Sequence, residues 1–164
     1  ESIKMANVFK GSEVMEIAID MEQNGYRFYS GIASKMKGKT VKSVFEFLAG
    51  EEKKHEEVFK NMLSKIGKED VPDALKEDYE LYIKSVADSH IFAGPNFNKM
   101  MATASKKTND AINAGIAFEK DSIIFFQEML NYVPESQHKK VRALVDEEKK
   151  HLTKLIQLKD SLTR

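Results

Sequence analysis

Two copies of one five-residue string contain the residues of this chain that are best suited to metal chemistry. The string is Glu-Glu-Lys-Lys-His, at residues 51–55 and again at residues 147–151. In each copy the second glutamate precedes the histidine by three residues, which gives two pairs: Glu52 with His55, and Glu148 with His151. Residues three apart on a helix lie on one face, about one turn apart, so each pair reaches into one space. Carboxylates and imidazoles bind divalent metals, so each copy predicts half of a metal site.

The elements that would position these pairs are four long helices. Apolar residues recur in alternating steps of three and four, which is typical of the inward face of a bundle helix. The predicted helices cover residues 12–37, 41–66, 109–132 and 134–162. We call each inward stripe a seam. Acidic or histidine residues interrupt every seam: Glu22 in the first, Glu52 and His55 in the second, Glu119 in the third, and Glu148 and His151 in the fourth. Glu51 and Glu147, in contrast, step outward.

Residues typical of helix ends give the predicted bounds. They are Ser12, Thr40 and Thr108 as N-caps, Gly38 and Gly67 as stops, and Pro134 in the first turn of the last helix. Because the turn at Gly38 is short, the first two helices are predicted to be antiparallel neighbours. Residues 68–107 break the regular pattern and are interpreted as one long crossover, with predicted helices over 73–87 and 98–104.

The two halves of the chain repeat each other. Glu22 precedes Glu52 by 30 residues, and Glu119 precedes Glu148 by 29 residues. Self-similarity of this kind indicates two helical hairpins related by an approximate twofold axis. The sequence therefore predicts an all-α four-helix bundle in which four carboxylates and two imidazoles converge.

Four carboxylates buried side by side need compensating positive charge, because like charges at close range cannot all stay ionised. Two divalent metal ions would supply four positive charges. Oxygen-rich ligation with one imidazole per metal favours iron or manganese over a structural zinc site, although zinc remains an alternative. The other interpretation is a buried hydrogen-bonded network in which some carboxylates are protonated and no metal is bound.

Composition excludes several classes of function. The 164 residues suit one domain, spanning 1–164, and the 26 basic and 26 acidic residues cancel, so no overall charge attracts nucleic acid or an anionic membrane. The absence of cysteine excludes disulfides, thiolate metal sites and cysteine-ligated iron. No apolar run approaches the roughly 20 residues of a membrane helix. We therefore expect a soluble cytoplasmic protein.

The remaining aromatic and histidine residues have plainer expected roles. His90 and His138 are expected to be solvated rather than ligands. The methionines and phenylalanines are expected to fill the core, including Phe45, Phe47, Phe59, Phe118, Phe125 and Phe126. Tyr26 and Tyr29 are also expected in the core, with a hydrogen bond from one of them to a ligand as the alternative.

With these residues in view, the chain resembles the ferritin-like di-iron carboxylate superfamily. Those four-helix bundles supply one glutamate from each of two helices and a Glu-x-x-His from each of the other two. The matching residues are Glu22, then Glu52 with His55, then Glu119, then Glu148 with His151. Because a histidine is present in both halves, the chain looks like rubrerythrin or a bacterial relative rather than a ferritin.

The resemblance implies a ligand role for each residue and two iron ions as the cofactor, with manganese or zinc as alternatives. Glu52 and Glu148 would bridge the two metals. Glu22 and Glu119 would be terminal carboxylates, and His55 and His151 would each complete one metal. The implied fold is a ferritin-like bundle with a long, partly helical crossover between the second and third long helices.

Two departures from the rubrerythrin pattern affect the expected function. Rubrerythrins carry a second glutamate one turn after the first on the third long helix, where this chain has Ser122. They usually append a cysteine-rich iron domain, so we expect electrons here to come from a separate donor. The resemblance implies an oxidoreductase acting on peroxide or dioxygen, in a homodimer. The alternatives are a non-catalytic iron-handling protein and a structural module with a relict site.

Overall fold

Six α-helices account for most of the chain that the structure, a computed structural model, describes: residues 11–66, 77–94 and 96–163. The helices are α1 Gly11–Ala33, α2 Lys39–Ile66, α3 Glu77–Ser89, α4 Asn96–Ala104, α5 Thr108–Met129 and α6 Glu135–Leu162. These residues contain no β-strand, which confirms the all-α prediction. Among them, no helix combines the length and apolar character needed to span a bilayer. The prediction of one domain over 1–164 stays a prediction.

The four long helices form the predicted pair of hairpins. α1 packs along α2 and α5 packs along α6, while smaller contacts of α1 with α5 and of α2 with α6 join the two hairpins. The crossover contains α3 and α4, and both lie against α5. The predicted stop at Gly67 and the start of the helix predicted at 73 lie outside the described residues.

Several helix ends differ from the prediction by a few residues. α1 ends at Ala33 instead of Lys37, and backbone hydrogen bonds from Lys35 and Met36 to the carbonyl of Ile32 tighten the chain into a turn there. Gly38 therefore does not stop α1, and its carbonyl instead accepts from Lys42 at the start of α2.

The predicted N-caps were wrong by a similar margin, because all three lie inside their helices. Ser12 is in α1, Thr40 is in α2 and Thr108 is in α5. The residue before α5, Lys107, has extended backbone angles of φ −140° and ψ 139° and makes no side-chain cap. The hydroxyl of Thr108 instead contacts the sulfur of Met36, 3.7 Å away.

The predicted seams, which run from Met15 to Met36, Val41 to Ile66, Ile112 to Val133 and Val141 to Leu162, are buried apart from two of their ends. Met36 is half-buried and Leu162 is exposed, and every other seam position is buried. The apolar core lies in two clusters. One includes Met15, Phe59, Phe125 and Phe126, and the other includes Phe28, Phe45, Phe92 and Phe118. The polar seam residues lie between these clusters along all four long helices. Phe47 was predicted in the core but is 45% exposed.

Gly25 lies where α1 and α5 approach closely. A Cβ at this position would lie 2.6 Å from Cζ of Phe118 and 3.2 Å from Cγ of Glu52. The Phe118 ring cannot move away easily, since it stacks on Phe92 with ring centroids 4.6 Å apart. Close approach at this level of the bundle therefore requires glycine.

We predict that Gly25→Ala lowers the free energy of unfolding by about 1–3 kcal/mol, as expected for overpacking a filled core. The matched control is Gly50→Ala in α2, because a Cβ there meets nothing within 4 Å. That variant should be stabilised by about 0.5–1 kcal/mol through higher helix propensity. Urea unfolding of both variants checks the pair. Equal stability changes would contradict the packing argument.

Candidate metal centre

The six predicted ligand residues meet at the centre of the bundle. Glu22 from α1 and Glu119 from α5 face Glu52 and His55 from α2 and Glu148 and His151 from α6. The four glutamates are fully buried and the two histidines are 2–3% exposed. They lie at this depth because each occupies a seam position between the two apolar clusters. The structure thus brings together every residue that the sequence predicted for the site, while their binding of a metal stays a prediction.

Glu52 and Glu148 each direct one oxygen towards each imidazole. Nδ1 of His55 lies 2.7 Å from Oε1 of Glu148 and 3.8 Å from Oε2 of Glu52. Nδ1 of His151 lies 3.3 Å from Oε2 of Glu148 and 3.6 Å from Oε1 of Glu52. A carboxylate with its two oxygens on different centres is able to bridge two metal ions. One donor atom from each of Glu52, His55, Glu148 and His151 lies within 4.8 Å of the other three.

Glu22 and Glu119 lie at opposite sides of this group. Oε2 of Glu22 is 3.5 Å from Nδ1 of His55, and Oε2 of Glu119 is 3.8 Å from Nδ1 of His151. The two imidazole rings are nearly parallel, with an interplanar angle of 15° and centroids 5.4 Å apart. The cluster therefore has two similar halves, each with one terminal carboxylate and one imidazole.

Most donor atoms of the cluster have no hydrogen-bond partner of acceptable geometry. Nine atoms share this property: both oxygens of Glu22, Glu52 and Glu148, Oε2 of Glu119, and Nδ1 of His55 and His151. Buried polar atoms without partners are rare, because leaving them unsatisfied costs free energy. Two metal ions would satisfy them and balance the four carboxylate charges. The residues present therefore fit a di-metal centre.

Comparison with known proteins agrees with this geometry. The rubrerythrin family model matches residues 13–159. The chain belongs to the rubrerythrin family. A crystal structure from Thermotoga maritima, provisionally described as a ferritin-like diiron-carboxylate protein, is similar with a TM-score of 0.67 and 27% identity. The match covers 95% of this chain and 98% of the Thermotoga chain. No curated protein matches significantly. Together, family and cluster indicate a di-metal site.

In this rubrerythrin-family chain, one carboxylate of the cluster is held differently from the others. Burial raises the pKa of Glu22, Glu52 and Glu119 well above the usual carboxyl range. Burial also acts to raise the pKa of Glu148, but the adjacent imidazoles of His151 and His55 lower it overall. Without metal, three carboxyls therefore favour their protonated forms, and Glu148 is the carboxylate that stays ionised.

The imidazoles also hold protons in the metal-free cluster, because carboxylates lie beside them. Burial lowers the pKa of His55, but the adjacent carboxylate of Glu148, with smaller contributions from Glu52 and Glu147, raises it to about 9. The pKa of His151 is also raised: burial lowers it, and the nearby carboxylates of Glu119, Glu148 and Glu52 more than compensate. Protons thus occupy the cluster where metal ions would otherwise bind.

Tyr29 is the tyrosine that reaches a predicted ligand. Its ring packs in the core, and its hydroxyl donates a hydrogen bond to Oε1 of Glu119. Burial and the nearby Glu119 raise the pKa of Tyr29, so the phenol keeps its proton and remains a donor. Tyr26 was predicted in the core but is 41% exposed, with Lys53 over its ring.

Glu147 is a functional residue that the sequence reasoning missed. It was predicted to step outward, and its side chain is 45% exposed, yet Oε2 lies 2.8 Å from Nε2 of His55. A carboxylate in this position fixes the ring and directs Nδ1 inward. Its counterpart Glu51 pairs instead with Lys54 at 2.5 Å. The available signal was the doubled glutamate in each copy of the string.

The other residues singled out by the sequence lie away from the centre or do not contact it. His90 was predicted to be solvated but is buried, and its Nδ1 accepts from the backbone N–H of Phe92. His138 is half-buried, and its Nε2 lies 3.1 Å from the carbonyl oxygen of Val133. Ser122 is fully buried, one turn beyond Glu119, and its hydroxyl has no hydrogen-bond partner.

We predict that the stability of the metal-free protein falls with rising pH, while the extra stability conferred by bound metal grows. Groups whose folded pKa is raised bind more protons when folded, so metal-free stability falls as pH rises above the carboxyl range, and falls further through about 9 for His55. Metal binding requires deprotonated ligands, so the stabilisation by Mn²⁺ should grow over the same range. Thermal unfolding with EDTA or with Mn²⁺, at several pH values from 6 to 8.5, measures both. A Mn²⁺-induced shift that shrinks with rising pH would contradict this account.

Proposed function

We propose that the chain is a di-iron oxidoreductase that reduces peroxide or dioxygen with electrons from an external donor. The observation that carries the proposal is the position of Glu52 and Glu148, each with one oxygen towards each imidazole. When bound, a pair of irons supplies the ferrous–ferric redox change that the reaction needs. Reduction of one hydrogen peroxide to two water molecules consumes two electrons and two protons, which one such pair and bulk water can supply.

The protein residues would bind and orient the metals and keep the centre dry. Glu22 and His55 would hold one ion, Glu119 and His151 would hold the other, and Glu52 and Glu148 would be shared by both. Aromatic rings close the centre on one side, where Tyr29 packs edge-on against Phe118 with centroids 6.1 Å apart. A dry site strengthens the attraction between carboxylates and cations.

A groove between α2 and α6 supports the use of an external electron donor. His55 lines one cavity of about 680 Å³, and His151 lines a second cavity of about 540 Å³. Glu51 and Glu147 line both cavities, which together form the groove. Both imidazoles border this groove with their outer edges. An electron-transfer partner docked there would therefore be separated from each metal position by one imidazole ring.

We predict that protein loaded anaerobically with two ferrous ions per chain consumes hydrogen peroxide and develops ferric absorption in the near ultraviolet. Glu148→Ala should lose both, because it removes the residue whose oxygens approach both imidazoles. Asp146→Asn, which changes an exposed acid of the same helix paired with Lys149, is the control and should keep both. A loaded wild-type protein that neither consumes peroxide nor becomes ferric would overturn the proposal.

A second candidate function is iron handling without rapid turnover, and Ser122 favours it. The position where the rubrerythrin pattern has a second glutamate carries a buried hydroxyl, so a carboxylate ligand is missing there. Under this alternative, two ferrous ions bind but peroxide is not consumed beyond the iron equivalents when an external reductant is supplied. Solution mass separates the expected homodimer from a storage shell of many chains.

A further inference from the structure

The two halves of the metal centre differ in the support given to their terminal carboxylates. Tyr29 follows Glu22 by seven residues, and Phe126 follows Glu119 by the same seven. The Tyr29 hydroxyl crosses the bundle to Glu119, whereas Phe126 has no hydroxyl to donate to Glu22. The two halves that the sequence repeat predicts to be related by an approximate twofold axis therefore differ at the centre itself.

This difference changes the number of carboxylate oxygens that are left without a hydrogen-bond partner. The hydrogen bond from Tyr29 engages Oε1 of Glu119 and leaves Oε2 as its one unpartnered oxygen. Both oxygens of Glu22 are without a partner. With one oxygen each from Glu52 and Glu148 and one imidazole nitrogen, the first half offers five donor atoms and the second half offers four.

The two imidazoles also differ, and the difference again favours metal binding in the half that contains Glu22. Nε2 of His55 lies 2.8 Å from the carboxylate of Glu147, and a carboxylate partner raises the basicity of a ligating imidazole. The corresponding Glu51 is paired with Lys54 instead. Within the described part of the chain, the ion pairs of His151 all involve Nδ1, so no carboxylate lies within 4 Å of its Nε2.

We propose that the two metal positions are inequivalent. The position between Glu22 and His55 takes the first ion and binds it more tightly. The position between Glu119 and His151 takes the second ion, binds it more weakly and keeps an open coordination place for the small oxidant. Tyr29 and Glu147 act as positioning residues, the first by limiting Glu119 to one oxygen and the second by strengthening His55. This inference rests on the proposed function.

Titration of the metal-free protein with Co²⁺, followed by calorimetry and by visible absorption, tests the order of binding. Wild-type protein should bind two ions in distinct steps, with the first at least about tenfold tighter, the scale of the effect of outer hydrogen-bond partners on metal affinity. Two equal steps, or fewer than two bound ions, would overturn the inference.

Two pairs of variants assign the difference to its residues. Glu147→Gln should weaken the first step about 10–100-fold and shift the visible spectrum of the first cobalt. Its matched control, Glu51→Gln, should leave that step and spectrum unchanged because Glu51 pairs with Lys54. Tyr29→Phe should strengthen the second step alone, and Tyr26→Phe, an exposed change on the same helix, should alter neither. Equal effects within either pair would contradict the assignment, provided that circular dichroism shows all four variants folded.

Azide added to the cobalt-loaded protein tests the open coordination place. The spectrum should change after the second equivalent of Co²⁺ is bound and stay unchanged with only the first. A change at the first equivalent would overturn this part of the proposal.

The result is separable from the proposed reaction, since stepwise cobalt binding without peroxide consumption by the iron-loaded protein would reject the reaction and keep the inequivalence. Equal cobalt steps with rapid peroxide consumption would reject the inequivalence and keep the reaction.

Discussion

The burial of four carboxylates in one small volume is the constraint on which this structure depends. Glu22, Glu52, Glu119 and Glu148 are fully buried at the level where the four long helices meet. An ionised carboxylate in such a place is very unfavourable unless cations or protons compensate for it. Two divalent ions would balance the charges and satisfy the atoms that have no hydrogen-bond partner of acceptable geometry.

The helices are arranged so that this polar layer is closed off by apolar layers on both sides. One apolar cluster, with Phe59, Phe125 and Phe126, lies on one side of the centre, and the other, with Phe28, Phe92 and Phe118, lies on the opposite side. The repeat in the sequence places the four ligand-bearing positions at the same height. Gly25 permits the close approach of α1 and α5 there, because a side chain would meet the Phe118 ring. Fold and site are therefore two consequences of the same seams.

The sequence was sufficient to predict the six cluster residues because helical periodicity reports which face of a helix is buried. It could not predict how neighbouring helices cross, and two of its errors come from that limit. Phe47 was predicted in the core and lies outside it, beside His151 with ring centroids 6.2 Å apart. Glu147 was assigned to the surface and contacts His55 from the groove. The predicted caps missed the helix starts because a threonine or serine signals a helix end only to within a few residues.

Departures from symmetry give this rubrerythrin-family chain its individual chemistry. Tyr29 and Glu147 make contacts with the centre that their counterparts Phe126 and Glu51 do not make, and Ser122 stands where the rubrerythrin pattern has a second glutamate. The metal-binding claim underlies all of these differences. Its most direct test is a crystal structure of the iron-loaded protein with an anomalous difference map at the iron edge. The account predicts two peaks between Glu52 and Glu148, one beside each histidine. A map with no peak in the cluster, and with the carboxyls hydrogen-bonded to one another, would contradict it.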